Sequence, residues 1–323
     1  MKAIVQDTYG STDVLELREF ERPGIAVDEV LVRVRAAGVD RGVWHLMTGL
    51  PYPVRLAGYG FRAPKTSVPG SDLAGIVEAV GNAVTRFQPG DEVFGIGKGA
   101  FAEYAPALES KLASKPANLT FEHAATVPVS GLTALQGLRD HGRVEQGQKV
   151  LIIGASGGVG TFAVQLAKAF DAEVTGVCST AKVDMVRTIG ADHVIDYTRE
   201  DFASGGQRFD MILDIGGNAP LSRLRRALAP KGTLVIVGGE TGGRWLGGYD
   251  RQLRAVLLSR FVGQDLRTFI CSENADDLLV LKEFIEAGEI TPVVDRAYLL
   301  REAAQAIGYL EQGHARGKVV ITV

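Results

Sequence analysis

Residues 147–160 read Gly147-Gln148-Lys149-Val150-Leu151-Ile152-Ile153-Gly154-Ala155-Ser156-Gly157-Gly158-Val159-Gly160. Val150 to Ile153 have the unbroken apolar pattern of a strand buried on both faces. A turn of small residues follows. The chain then runs directly into a helical pattern, with Val159, Phe162, Ala163, Leu166, Ala167 and Phe170 recurring along one face. Glu173-Val174-Thr175-Gly176-Val177 makes a second short strand. In a strand, glycine turn, helix, strand unit, backbone N–H groups and the positive end of a helix dipole converge on an anion, so this is read as a nucleotide phosphate site. The turn departs from G-x-G-x-x-G at one place. Ala155 holds the first glycine position, while Gly157 and Gly160 keep the close-approach and helix-packing positions.

The residue ending the second strand selects the nucleotide. A carboxylate about 20 residues past the glycines takes the ribose hydroxyls of NAD and repels a 2′-phosphate. Here Ser179 stands at that place, and Cys178-Ser179-Thr180-Ala181-Lys182 offers hydroxyls and one cation, which favours NADPH over NADH. The same residues also have a structural reading, with Ser179 and Thr180 capping the helix that runs to about Ile189 and Lys182 a solvated charge.

Composition bounds the rest. A chain of 323 residues with 46% hydrophobic content can bury a large core and is expected to form two domains. A net charge of −3 gives no electrostatic footprint for nucleic acid. No apolar run approaches the roughly 18 residues of a membrane span, and Met1 to Asp7 has no signal-peptide core, so a cytoplasmic protein is expected. Two cysteines, Cys178 and Cys271, exclude a disulfide framework and a four-cysteine zinc site.

Up to about residue 120, short segments such as Glu29–Arg35 and Ala74–Val80 alternate with Gly, Pro and Asp turns, an all-β, barrel-like pattern. From Phe121 to Gly263 helix and strand alternate, with strands at Val150–Ile153, Glu173–Val177, His193–Ile195, Asp210–Asp214 and Thr233–Val237. That half reads as a doubly wound parallel sheet. Beyond it lie an amphipathic helix from Ala275 to Ala287, closed by Gly288, and a last strand at Lys318–Val323 that returns to the first domain.

The run from Gly147 and Gln148 through Leu151, Ala155, Ser156, Gly157, Gly158 and Gly160 to Gln165 and Lys168 is the diagnostic string of a known family. Ala36-Ala37-Gly38-Val39, Pro89–Gly95, Ala100–Tyr104, Gly190–Tyr197 and Gly317–Val320 match it as well. Over essentially its whole length the chain resembles the zinc-free medium-chain dehydrogenases/reductases of the quinone oxidoreductase (zeta-crystallin) type. The resemblance implies an α/β chain: a Rossmann doubly wound parallel sheet domain at 122–266, and a GroES-like β-barrel catalytic domain at 1–121 that is rejoined by 267–323. It implies a homodimer through the nucleotide domains. It also implies cofactor contacts. Ala155, Ser156, Gly157, Gly158 and Val159 lie at the pyrophosphate, and Ser179, Lys182 and Tyr197, beside Thr180, lie at the 2′-phosphate. Thr133 lies near the nicotinamide, and Val237, Gly238 and Gly239 line its carboxamide pocket. Asp214 to Gly217, with Gly216 among them, end a sheet strand at the ligand crevice, and Lys318 joins the cofactor-binding set.

Zinc-dependent members of the wider family carry a cysteine after the Ala-Gly-Val run and a His-Glu pair further on. In this chain Asp40 and Ser71-Asp72 occupy those places, leaving His45 alone as an imidazole ligand and no metal site. Without a strong Lewis acid, hydride transfer suits electron-poor acceptors, quinones and α,β-unsaturated carbonyls, whose developing oxyanion ordinary donors can hold. The asparagine that follows Ala-Gly-Val in most zinc-free members is absent. Asp40 acts only as an acceptor unless burial keeps it protonated, and Arg41 is placed to pair with it. His45 and Tyr52 are the candidate proton donors, against a structural role for a lone loop histidine and a proton from water. Trp44, Tyr52, Tyr59 and Phe61 offer aromatic surface to a flat acceptor, and Thr241–Tyr249 reads as a mobile glycine-rich loop. The reading is an NADPH-dependent quinone or enone reductase. The alternatives are a zinc-independent alcohol or aldehyde dehydrogenase and a nucleotide-binding protein without turnover.

Overall fold

The buried run Lys149–Ile153 is a strand, and the helix Gly158–Ala169 follows the glycine turn that ends it. The structure is a computed structural model describing residues 1–239 and 243–323. It divides into two compact units, Met1–Leu132 with Glu273–Val323, and Thr133–Ser272. These limits differ from the expected changes at 121 and 266 for local reasons. The helix Phe121–Ala124 packs on strands of the first unit, and the division falls inside the helix Pro128–Gln136. At the other end, Gln136 exchanges two hydrogen bonds with the Ser272 backbone, and Phe269 stacks on His141, so the chain stays with the second unit through Ser272.

In chain order the first unit supplies β1 (Lys2–Val5), β2 (Glu16–Glu19), β3 (Glu29–Val39), β4 (Asp72–Val80), β5 (Glu92–Ile96), β6 (Tyr104–Leu108) and β7 (Leu112–Ser114). The second unit supplies β8 (Lys149–Ile153), β9 (Glu173–Cys178), β10 (His193–Asp196), β11 (Phe209–Asp214), β12 (Leu228–Ile236) and β13 (Asp265–Thr268). The chain returns with β14 (Val294–Leu299) and β15 (Lys318–Thr322).

The second unit is a parallel sheet in the order β10-β9-β8-β11-β12-β13. Val150, Leu151 and Ile152 at its centre are fully buried, as the unbroken apolar run requires. Edge strand β13, Asp-Leu-Arg-Thr, has a single aliphatic residue and no periodic signal, so the sequence reading did not include it. The chain crosses the sheet order between β10 and β11, and the C-terminal ends of β8, β9 and β11 face the crevice where doubly wound sheets take ligands.

In the first unit β3 is the organising strand. Its first half pairs with β6, its second half with β15, and β4 runs along its length with two register shifts that bend it. Its Val30 and Val32 share one buried core with Leu73, Val93 and Phe101. β3 ends at Val39, next to the starts of β4 and β15, so Asp40, Asp72 and Lys318 gather at one end of the sheet. Asp40 then caps the helix Arg41–Thr48, with Oδ1 accepting the Val43 N–H at 3.0 Å.

Thr241 and Gly242 of the expected glycine-rich loop lie outside the described residues. The rest of that segment is helical at Gly243–Leu246, and Tyr249 opens the helix Tyr249–Ser259. Among the described residues no helix is long and apolar enough to cross a membrane.

Candidate active site

In the second unit the turn after β8 is fixed from both sides. Gly154 and Ala155 donate their N–H groups to the Val177 carbonyl at the end of β9, and the Gly157 N–H returns to the Gly154 carbonyl at 3.1 Å. Gly154 has φ +88, a left-handed turn that favours glycine. Gly160 packs so closely on Gly154 and Ala155 that a Cβ there would run into the Gly154 carbonyl. A Cβ on Gly157 would meet only the Gly154 oxygen, at 3.6 Å, which leaves open space at the start of the helix. Gly157 is the N-cap and has no side chain to cap with, so the positive helix end faces that space. The turn thus leaves open space in front of a positive helix end, an arrangement that suits an anion. Ala155 itself is fully buried and packs towards Gly176, so its part is to seat the turn; Gly157, Gly158 and Val159 form the half-exposed face.

At the end of β9, Ser179 opens the turn Thr180–Lys182 and its hydroxyl makes no capping bond to that turn. The capping alternative for Ser179 thus finds no support in the geometry. Tyr197, following β10, donates its N–H to the Cys178 carbonyl at 3.1 Å, and its side chain is exposed. Thr180 is placed differently from its expected role as a phosphate donor. Its hydroxyl donates to Asp196 at 2.5 Å. Asp196 also accepts the Thr198 N–H and hydroxyl, and these donors, Thr180 first, hold its carboxyl below the usual carboxylate range. Asp196 thereby ties the ends of β9 and β10 together, a role the sequence reading did not assign. Cys178 is buried, and burial pushes its thiol up to about 11, which fits a packing residue.

Asp214 ends β11 fully buried. Burial raises its pKa, while Arg251, 2.6 Å away, opposes the rise. Its backbone carbonyl accepts the Val237 N–H at 3.0 Å and, at 3.4 Å, that of Gly238. Asp214 therefore supports the segment after β12, and its carboxylate is spent within the protein. Gly216 is half-buried beside it, and Thr133, first residue of the unit, is buried.

In the first unit His45 sits on the helix that Asp40 caps. A carbonyl can only accept, so the 2.8 Å contact to the Leu50 oxygen assigns the proton to Nδ1 and leaves Nε2 as the other ring nitrogen. Trp44 packs edge-on against His45, with ring centroids 5.0 Å apart. Arg55 lies over the Tyr52 ring at 5.1 Å and donates to the Gly49 carbonyl, which holds that loop to the end of the His45 helix. Asp40 Oδ2 and Trp44 Nε1 are buried without a hydrogen-bond partner among the described residues.

Lys318, expected at the cofactor, is only 2% exposed and has other partners. Its Nζ donates to Asp72 Oδ2 at 3.2 Å and to Ser130 Oγ at 3.1 Å, and Asp72 Oδ1 accepts the Val129 N–H. Burial pushes Asp72 up to about 7, against the Lys318 ammonium and with help from the charge of Asp40.

This donor set does not fit a catalytic zinc. Asp72 is already engaged by an ammonium, His45 spends Nδ1 on a carbonyl, and no three His, Cys, Asp or Glu side chains converge among the described residues.

Comparison with known proteins places this geometry. Residues 26–117 match the family model of the alcohol dehydrogenase GroES-like domain, and residues 189–321 match that of zinc-binding dehydrogenases. A 2-methylene-furan-3-one reductase of Solanum lycopersicum is 33% identical over 99% of this chain and 79% of its own. An NADPH-dependent chloroplastic alkenal/one oxidoreductase of Arabidopsis thaliana is also 33% identical, with the same shares covered. The chain belongs to the quinone oxidoreductase (zeta-crystallin-like) family of medium-chain dehydrogenases/reductases. The quinone oxidoreductase of Coxiella burnetii superposes with a TM-score of 0.85 at 28% identity, covering 100% of this chain and 99% of its own. The two units are accordingly the GroES-like and Rossmann domains of this family, and the protein is an oxidoreductase.

Proposed function

We propose that the protein is a zinc-independent, NADPH-dependent reductase of quinones or α,β-unsaturated carbonyls. One observation carries the coenzyme choice: Ser179, Lys182 and Tyr197 stand around the end of β9, where an NAD site keeps a carboxylate. The N–H groups of Gly157 to Val159 bind the pyrophosphate. Thr133, Gly216 and Val237 to Gly239 receive the nicotinamide end. When bound, this coenzyme supplies a hydride from nicotinamide C4.

The chain's own residues do the rest. With no three-ligand metal set among the described residues, a substrate carbonyl is polarised by hydrogen-bond donors, which suits conjugated acceptors that delocalise the developing negative charge. The remaining proton comes from His45 Nε2 in the imidazolium form, from the Tyr52 hydroxyl or from water. Asp40 holds the His45 helix in place through its cap. The relatives named for enone and quinone reduction support this acceptor class.

Among the described residues edge strand β13 pairs on one side only, and the exposed Leu253, Leu257, Phe261 and Ile270 flank it. We infer that two copies join there as a homodimer, because an open edge beside apolar side chains is what edge-to-edge pairing covers. Light scattering of the purified protein should give twice the chain mass.

A steady-state screen of NADPH against NADH with quinones, short enones, aldehydes and alcohols, with and without EDTA, tests the reading. NADPH-dependent, chelator-insensitive reduction of the conjugated acceptors is expected. Loss of turnover with EDTA would overturn the zinc-independent assignment. Turnover of simple alcohols with none of enones would point instead to an alcohol dehydrogenase.

A further inference from the structure

Helix Tyr249–Ser259 carries a cation turned inward. The Arg251 side chain is 13% exposed. Its Nη1 donates to Asp214 Oδ2 at 2.6 Å and to the Ala219 carbonyl at 2.8 Å, and its Nη2 donates to the Gly238 carbonyl at 3.1 Å. Asp214 in turn accepts the Gly217 N–H through its other oxygen, at 3.2 Å. One guanidinium thus joins the helix to the segment after β11 and the segment after β12.

Those two segments meet backbone to backbone. A Cβ on Gly217 would lie 2.8 Å from the Gly238 carbonyl carbon, and one on Gly248 would lie 2.8 Å from the Gly239 Cα. Glycine against glycine provides no interdigitating side chains to fix the angle between the strands' ends. Beside the backbone bonds from Val237 and Gly238 to the Asp214 carbonyl, the fork of Arg251 and the carboxylate of Asp214 fix it here. Arg251 Nε remains buried without a partner among the described residues, so the ion pair is not an optimised stabilising device. An apolar pair would pack this space at less desolvation cost. What the pair supplies is geometry, held at two backbone sites at once.

We propose that Arg251 is a positioning residue for the coenzyme: its fork sets the Gly238 carbonyl and the Asp214–Gly217 turn as the seat of the nicotinamide end. The proposal rests on the NADPH reading above. A lysine can reach Asp214 but has no planar fork to hold Gly238 and Ala219 together, so Arg251→Lys should recover only part of the function.

The experiment compares the full chain with Arg251→Met, Arg251→Lys and Asp214→Asn by fluorescence titration with NADPH and with adenosine 2′,5′-bisphosphate, which carries only the adenosine half. Loss of charge-assisted bonds predicts a roughly ten- to hundredfold weaker affinity for NADPH in Arg251→Met, an intermediate loss in Arg251→Lys, and a change within about twofold for the bisphosphate. The primary isotope effect with 4-deuterated NADPH should rise as the nicotinamide loses its seat. Parallel weakening of both ligands, or no change in either, in a protein of unaltered Tm would overturn the proposal. If Arg251→Met does not fold, Arg251→Lys and Asp214→Asn carry the same comparison. Failure of the unsubstituted protein to bind NADPH would instead overturn the coenzyme reading.

Discussion

Lys318 Nζ lies 3.2 Å from Asp72 Oδ2, and both side chains are buried. A buried ion pair is held at a desolvation cost, and burial pushes Asp72 up to about 7 even with the ammonium beside it. Between about pH 4 and pH 7 the folded state keeps a proton that the unfolded chain releases, so this group's contribution to stability falls as pH rises through that window, by at most about 4 kcal/mol. Asp72→Asn removes the titration. Denaturant unfolding at pH 5 and pH 8 should show the variant gaining on the natural protein as pH rises, and a stability difference independent of pH would refute the shift. Lys318→Met acts in the opposite sense. Its cost should grow with pH towards the 3–5 kcal/mol or so of a broken buried pair, because it leaves a carboxylate unpartnered.

Asp40 has one oxygen in use and one stranded. Oδ1 caps the helix Arg41–Thr48, while Oδ2 is buried with no partner among the described residues and its charge raises Asp72. Asp40→Asn keeps the capping oxygen and removes the charge. It should leave stability unchanged or raise it by about 1 kcal/mol, whereas Asp40→Ala should lose about 1 kcal/mol with the cap. Urea denaturation at pH 8 separates the two variants. Equal losses would mean that the carboxylate charge itself is needed.

How much of this was legible beforehand follows from what each signal depends on. The strand, glycine turn and helix were readable because β8, Gly157, Gly160 and the helix are contiguous, and a turn needs nothing from distant chain. Edge strand β13 was not, since Asp-Leu-Arg-Thr pairs along one side only and has no apolar period. The partners of Lys318 and Asp214 were also illegible. Asp72 and Ser130 lie far from Lys318 in sequence, and Arg251 reaches Asp214 from a helix whose own pattern gives no hint of an inward-facing charge. A carboxylate ending the apolar run Met211–Leu213 was the one available signal, because Asp214 could be buried there only with a cation to meet it. Thr180 shows the opposite limit. Its hydroxyl was visible, but the competing acceptor, Asp196, becomes its neighbour only once β9 and β10 pair.

Two glycines of the cradle should fail in different ways. A Cβ at Gly160 strikes the Gly154 carbonyl and the Ala155 backbone, so Gly160→Ala must push the helix off the turn. It should lower stability by roughly 1–3 kcal/mol as an overpacked contact. A Cβ at Gly157 meets the protein only at 3.6 Å, and its backbone, φ −87 and ψ 179, suits any residue. Gly157→Ala should therefore keep the Tm of the natural protein while placing a methyl where the pyrophosphate approaches, weakening NADPH roughly tenfold or more. Thermal unfolding and NADPH titration of both variants check this. The cradle assignment fails if Gly157→Ala binds NADPH as tightly as the natural protein does.

Lys182 lies in the turn that Ser179 opens, Tyr197 is held alongside through its bond to the Cys178 carbonyl, and the carboxylate nearby, Asp196, is occupied by Thr180 and Thr198. If these groups grip a 2′-phosphate, Lys182→Gln should raise KM for NADPH roughly ten- to hundredfold and leave KM for NADH nearly unchanged, since NADH has no charge for the lysine to meet. Tyr197→Phe removes a neutral donor and should cost less, about threefold to tenfold, again for NADPH alone. Salt offers an independent check. Raising ionic strength from about 0.05 to 0.5 M should weaken NADPH more than NADH in the natural protein, and the difference should shrink in Lys182→Gln because the screened charge is gone. Steady-state kinetics with both coenzymes at the two salt levels decides it. Equal losses for NADH and NADPH would assign Lys182 to the structure of the turn, with no part in coenzyme choice.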